Sequence, residues 1–327
     1  MIQYLRGVFR PDIYHGFNRR PPYFEGWYFK LIDASRNQRW AVIPGIFRAE
    51  DSAEDHSFIQ ILDGVSGRAT YQEYPVDAFW AHPSRFEVRV GGNAFSADRM
   101  TLAVDDGQRP VHGELRFHNQ VALPQSPYQP GIMGPFGYIP AMECYHGLVS
   151  LDHALDGVLR IGRDNVDFSG GRGYIEKDWG TNFPSAYVWF QSNHFTTAHT
   201  SISASIARIP LWGLNFPGFI IALRHNGVHY RWATYNRSTT ERLHISDTHV
   251  EWIVSNRRTR LSMAAERRTG GLLKAPLRTA MHKRVDETML SSVSTRLETH
   301  DGHILLDDCG DCTALEVFGE IDRLVKA

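Results

Sequence analysis

Apolar and polar residues alternate along much of this chain with a period of two. Phe86, Val88 and Val90 interleave with Arg85, Glu87 and Arg89, the pattern of a strand with one buried face. Residues 201–207 alternate in the same way. Residues 23–32 read as an aromatic-rich strand, 39–47 and 57–62 as the next two, and 100–104 and 113–117 as continuations. Further on, 216–224 and 228–235 flank Asn226-Gly227, the strongest short hairpin signal. Runs at 250–254, 260–264, 289–297 and 303–306 follow, the last two on either side of Asp301-Gly302. A helical period is nowhere sustained for three turns. Short strands separated by Gly and Asn turns predict an all-β chain built as sandwiches or barrels.

Two stretches break the pattern. Residues 1–22 are turn-rich and aromatic, as expected of a segment lying over the surface or plugging the end of something. Residues 119–141 carry Pro124, Pro127, Pro130, Pro135 and Pro140 among glycines, a density no regular element survives. Tyr128, Ile132, Met133, Phe136, Tyr138 and Ile139 make this stretch too apolar for disorder. It is expected to be an ordered loop covering a cavity, or else a tether between domains.

The length of 327 residues, 42% of them hydrophobic, suits two domains or one large one. Glu25-Gly26-Trp27-Tyr28 resembles Glu176-Lys177-Asp178-Trp179-Gly180, which hints at two similar β domains, divided as 1–165 and 166–327. Lys plus Arg number 35 against 36 for Asp plus Glu. That balance argues against nucleic acid as a partner and gives no reason to expect an anionic membrane. No apolar run reaches the ~18 residues of a membrane span, which leaves only peripheral membrane contact open. The N-terminus lacks a signal-peptide core, and Cys144, Cys309 and Cys312 form no disulfide framework. A cytoplasmic protein is the simplest expectation.

The chemistry concentrates in residues 170–195. If this stretch is extended, Glu176 and Asp178 point to one face and Lys177 to the other. After a Gly/Pro turn, Tyr187, Trp189, Gln191 and Asn193 share a face, and Val188, Phe190, Ser192 and His194 take the other. Other motifs fall away. Cys309-Gly310-Asp311-Cys312 has His300 and His303 nearby, but an extended run puts His303 roughly 20 Å from Cys309, too far for a shared zinc. No H-E-x-x-H or G-x-S-x-G occurs, and Gly170-Gly171-Arg172-Gly173 precedes a strand rather than a phosphate-binding helix. No metal and no cofactor is expected.

Residues 22–30, 142–150 and 171–180, with Phe183-Pro184 and Trp189-Phe190-Gln191-Ser192-Asn193, resemble the motifs of the tocopherol cyclase-like family. The resemblance implies two lipocalin-like antiparallel β-barrel domains in tandem. It also implies a lipophilic small-molecule substrate and a reaction in which the hydroxyl of a prenylated phenol or quinol closes a ring onto an alkene. Hydration of an isoprenoid double bond and non-catalytic carriage of a hydrophobic molecule are the alternatives.

Ring closure by protonation needs an acid that stays protonated near neutral pH, aromatic faces for the cation and a dry pocket that folds the substrate. Burial or a second carboxylate keeps a carboxyl protonated. Asp178 is the first choice for that acid, with Glu176 as its partner; Asp178 holding the Gly180 turn is the alternative. Glu25 is either functional or paired with an arginine. Asn193 is expected to grip the phenol oxygen, and His194 to deprotonate it only if a bulge reverses its face. Trp27, Trp179, Tyr187 and Trp189, with Gln191 on the same strand face, are candidates for the pocket wall. Glu143, Tyr145 and His146 are candidates for its mouth.

Overall fold

The computed structural model describes residues 2–140, 142–211, 213–281 and 283–325. The chain forms two large antiparallel sheets. The first contains β1 (Tyr23–Ile32), β2 (Arg39–Arg48), β3 (His56–Asp63), β4 (Ala69–Pro75), β5 (Phe79–Ala81), β6 (Glu87–Val90), β7 (Asn93–Ser96), β8 (Arg99–Val104), β9 (Val111–His118), β10 (Cys144–Ile161), β11 (Asp164–Asp167) and β12 (Arg172–Gly180). Its spatial order is β4-β3-β2-β1-β12-β10-β9-β8-β7-β6-β5, with β11 paired to β10. The second contains β13 (Ala186–Ser192), β14 (Ser201–Leu211), β15 (Leu214–His225), β16 (Val228–Ala233), β17 (Thr239–Ile245), β18 (His249–Ser255), β19 (Thr259–Glu266), β20 (Gly271–Ala275), β21 (Lys283–Thr299) and β22 (Ile304–Gly319). Its order is β16-β15-β14-β13-β22-β21-β19-β18-β17, with β20 paired to β21. Helix α1 (Ile2–Phe9) precedes the first sheet, and a short helix α2 (Asp322–Val325) follows the second. Among the described residues no helix is long and apolar enough to cross a membrane.

Each sheet curls around its own apolar core. Trp27, Phe29 and Leu31 of β1 share one core with Val88, Val90 and Phe95 from the far end of the same sheet. Val188 and Phe190 of β13 share the other with Trp232 of β16 and Trp252 of β18. A third cluster lies where the two sheets press together: Tyr28, Leu148 and Tyr174 meet Tyr187, Trp189 and Met289. This is the lipocalin-like form, twice over. Strands β1, β12 and β13 are therefore buried on both faces, one against their own core and one against the other sheet. Such strands lose the apolar/polar alternation. Fully burying one of their large apolar side chains contributes roughly 1.5–3 kcal/mol.

The change of sheet falls after Gly180, not at residue 165. Strand β12 lies in the middle of the first sheet, between β1 and β10. The similarity between residues 25–28 and 176–180 also has a different origin from domain duplication. The two segments are hydrogen-bonded neighbours, with Glu25 opposite Trp179, Gly26 opposite Asp178, Trp27 opposite Lys177 and Tyr28 opposite Glu176. Cys309 and Cys312 both lie within strand β22.

The N-terminal segment closes one end of the first core. Lys177 donates to the carbonyl of Ile13, the His15 backbone N–H donates to Glu25 at 2.9 and 3.0 Å, and Trp27 Nε1 donates to the carbonyl of Asp12 at 2.9 Å. The plug expected of residues 1–22 is thus tied to the sheet by polar bonds as well as apolar contact.

Candidate active site

The two faces of β12 carry two different charge clusters. Facing the first core, Lys177 makes a 2.5 Å ion pair with Glu25, both side chains being fully buried. Glu25 also accepts from Tyr23 and from His15. Burial pushes the Glu25 carboxyl up, but Lys177 and His15 outweigh it and leave the group below the ordinary range. Trp27 and Trp179 flank the ammonium, with Nζ 4.9 and 4.6 Å from their ring centres. Trp179 in turn stacks on His15 at 4.2 Å and on Tyr145 at 5.4 Å. Glu25, Trp27 and Trp179 therefore belong to one structural cluster, and none of them lines the cavity between the two sheets.

The other face of β12 looks toward the second sheet. Here a cavity offers about 180 Å³ in which the centre of a water-sized molecule can sit. Its walls are largely apolar, with Phe24, Phe58, Phe183 and Ile220 among them. Glu176, Asp178, His146 and Glu316 supply polar groups, beside Tyr28, Tyr187 and Trp189. The cavity sits between the sheets, because the interior of each sheet is already filled by its own core.

Local pairing explains how these residues meet. His146 of β10 stands opposite Asp178 of β12, and Leu148 opposite Glu176, before the register shifts between Leu148 and Ser150. His146 Nδ1 lies 2.9 Å from Asp178 and Nε2 lies 3.5 Å from Glu176. Glu176 also accepts from Tyr174 at 2.5 Å and from Trp189 Nε1 at 3.1 Å, the latter reaching across from the second sheet. On that sheet, Glu316 of β22 stands opposite both Trp189 and Glu287 of β21. Tyr187 donates to Glu316 at 2.6 Å, and Tyr28 of the first sheet donates to Glu287 at 2.5 Å. Each of these carboxyls is thus shared between strands or between sheets.

Burial dominates the electrostatics. It pushes the Glu176 carboxyl up to about 7, against the pull of His146 and with the help of Asp178. It does the same to Glu316, also to about 7, against the hydrogen bond from Tyr187. Glu287, fully enclosed and beside Glu316, is raised further. Burial alone would depress His146, but Glu176 and Asp178 win and hold it at about 9. Two carboxyls titrating near neutrality, beside an imidazolium and in an apolar cavity, are suited to giving and taking protons. The ligand atoms of His146, Glu176 and Asp178 lie within 4.8 Å of one another, and among the described residues these are the ones grouped so that they could hold a metal ion.

The same shifts give stability a definite pH slope. In the folded chain Glu176 and Glu316 keep their protons up to about 7, against 4.5 for a free side chain. The folded state therefore binds more protons across that interval, and the stabilisation is lost as pH rises through about 7. His146 acts in the same direction between 6.5 and about 9. Urea unfolding at about pH 6 and about pH 8.5 should give the higher free energy at the lower pH. Glu316→Gln should flatten that slope by up to ~1.4 kcal/mol per pH unit; an unchanged slope would show that Glu316 titrates alike in both states.

The remaining sequence candidates have structural work. Asn193 donates to Asp152 at 3.0 Å and to the carbonyl of Gly173 at 2.9 Å, and its oxygen lies 2.8 Å from His194 Nδ1. Both sit past the end of β13, away from the cavity. Gln191 accepts from the buried Lys30 at 2.8 Å. Glu143 meets Asn182 at 3.3 Å and Arg278 at 3.4 Å, outside the main cavity. Tyr145 does line it and donates to the carbonyl of Ile139 at 2.5 Å. Sequence reasoning missed Glu287, Glu316, Tyr28 and Tyr174. For Glu316 a signal existed: a lone acid in the apolar run Thr313-Ala314-Leu315-Glu316-Val317-Phe318.

The proline-rich segment both covers and connects. Met133 and Phe136 line the cavity. Arg231 of β16 grips the segment through the carbonyls of Gly131 at 3.0 Å and Pro124 at 2.9 Å, and Tyr235 through that of Ile132 at 2.9 Å. Arg231→Ala should loosen this cover, read as faster proteolytic nicking within 119–141 with little change in thermal midpoint. Unchanged nicking would mean that apolar contacts alone hold the segment.

Fold and cavity together define a lipocalin-like protein of two curled sheets with its polar chemistry held between them. The chain belongs to the tocopherol cyclase-like family, whose model matches residues 129–319. In three dimensions it is similar to CghA, at 13% identity and a TM-score of 0.54, covering 92% of this chain and 89% of that one. It is also similar to kievitone hydratase from Nectria haematococca, at 13% identity and a TM-score of 0.53, covering 95% of each chain. These likenesses are of fold. No curated protein matches the sequence significantly.

Proposed function

We propose that this protein is an acid-catalysed cyclase that closes a ring within a lipophilic prenylated phenol or quinol bound between the two sheets. The observation that carries the reading is Glu176: a buried carboxyl, raised to about 7, facing an apolar cavity next to His146. In the reaction Glu176 gives its proton to the less substituted alkene carbon. The π electrons form that C–H bond and leave a tertiary cation at the neighbouring carbon. Trp189, Tyr28 and Tyr187 offer their ring faces to the cation. The phenol oxygen then forms the C–O bond and releases its proton to the Glu316 carboxylate, also poised near 7. Substrate and product are isomers, and a proton returned from Glu316 to Glu176 completes the cycle. His146 and Asp178 set the charge felt by Glu176 and position it.

The cavity geometry supports an apolar substrate folded on itself, since positioning of this kind removes much of the entropic cost. The test is incubation of the protein with a prenylated benzoquinol, followed by mass analysis of the extract. A chroman of unchanged mass is the expected product. A product heavier by one water would make the protein a hydratase, and recovery of unaltered quinol would make it a carrier.

A further inference from the structure

The cavity wall holds more acidic than basic side chains. Glu176, Asp178 and Glu316 line it directly, and Glu287 stands behind Glu316 on the neighbouring strand. Against them stand His146 and Lys274. Lys274 is already engaged, 3.1 Å from Glu73 and 4.1 Å from the centre of the Tyr71 ring. His146 is divided between Asp178 and Glu176. One carboxylate oxygen of Glu287 is fully enclosed and has no donor. Tyr28 satisfies its other oxygen, and burial beside Glu316 pushes the Glu287 carboxyl well up. Acids facing the cavity thus outnumber bases, and each of the two bases already has a carboxylate partner.

Aromatic rings stand beside the carboxyls. Tyr28 and Trp189 meet edge to face at 5.4 Å, and Phe183 packs against Phe24 at 5.2 Å and Tyr187 at 6.2 Å. Ring faces with nearby carboxylates attract a weakly hydrated cation and do nothing for an anion. Glu176 and Glu287 are buried between the sheets, so charge interactions at them are screened less than at the surface.

We propose that the cavity selects lipophilic ligands bearing one positively charged nitrogen, an ammonium on an apolar body, over their neutral and anionic counterparts. The proposal rests on the cyclase reading in one respect: the ammonium takes the place of the tertiary cation formed during ring closure. A site complementary to a developing charge binds a stable mimic of it more tightly than the uncharged ground state. Substrates of this cavity accordingly carry no carboxylate or phosphate near the reacting end.

The test compares octylamine, 1-octanol and octanoate on the intact protein by isothermal titration calorimetry at neutral pH. Octylammonium is expected to bind at least about tenfold more tightly than octanol, and octanoate at least about tenfold more weakly. The ammonium preference should persist at high salt, because the charges are enclosed. Glu316→Gln should reduce it. Equal affinities for amine and alcohol, or tighter binding of octanoate, would overturn the proposal. So would a preference that vanishes in salt, since that marks binding to exposed acids. The wild-type comparison decides the matter even if the variant fails to fold. Ammonium preference without turnover of any prenylated quinol would remove the cyclase reading and leave this one standing. Turnover without that preference would do the reverse.

Discussion

Replacing Glu176 with Gln is expected to lower turnover of a prenylated quinol by about 10²–10⁴-fold, the usual worth of a positioned general acid. The amide keeps the size of the side chain and an oxygen that can accept from Tyr174 and Trp189, which hold the carboxyl at 2.5 and 3.1 Å. What it loses is the proton. The pH profile supplies an independent readout. Activity that needs Glu176 protonated falls as pH rises through about 7, and activity that needs Glu316 ionised falls as pH drops through about 7. The wild-type profile should therefore be a narrow bell near neutrality, and residual activity in Glu176→Gln should lack the alkaline limb. Asp178→Asn should cost less, because Asp178 acts on Glu176 partly through His146. The opposite ranking, with Asp178→Asn nearly inactive and Glu176→Gln nearly intact, would transfer the role of acid to Asp178.

Replacing Lys177 with Met is expected to destabilise the fold by about 3–5 kcal/mol, the cost of stranding a buried charge. Glu25 would then lie fully enclosed, with only Tyr23 and His15 as donors. Removing both charges in Lys177→Met/Glu25→Gln should recover much of the loss, since the unpaired carboxylate goes with them. Urea unfolding of the two single variants and the double variant measures the coupling. A loss below about 1 kcal/mol in Lys177→Met would mean that water reaches Glu25 and screens it as at a surface. The two clusters back onto each other across one strand, so this change also tests whether the cavity depends on the pair behind it.

The sequence disclosed the fold more readily than the site, for identifiable reasons. Strands with one wet face alternate, so residues 86–90, 250–254 and 260–264 could be read directly and correspond to β6, β18 and β19. Strands β4 and β17 were missed because both are largely half-buried or exposed along their length. The alternation of Glu176 and Asp178 against Lys177 followed from strand geometry alone. What those faces look at did not. Glu25 read as a possible partner in the chemistry, yet one step of register places it opposite Trp179, on the Lys177 side of the sheet. Glu287 and Glu316 come from strands more than a hundred residues beyond Glu176, and only the pressing together of two sheets brings them near it. Asn193 and His194 looked functional beside Trp189 because the strand was expected to continue; it ends at Ser192.

The division of the chain between the sheets also bears on its birth at the ribosome. All strands of the first sheet lie between residues 23 and 180, so that sheet can close before the second is made. In the second, β13 waits for β22, the last strand, to cover one of its edges. Until then Tyr28, Tyr174 and Glu176 face water. A wet carboxyl reverts to its ordinary acidity and is ionised at neutral pH. Glu176, which takes up its proton once enclosed, therefore adds a charge to this otherwise aromatic waiting surface and makes it less apt to stick to neighbouring nascent chains.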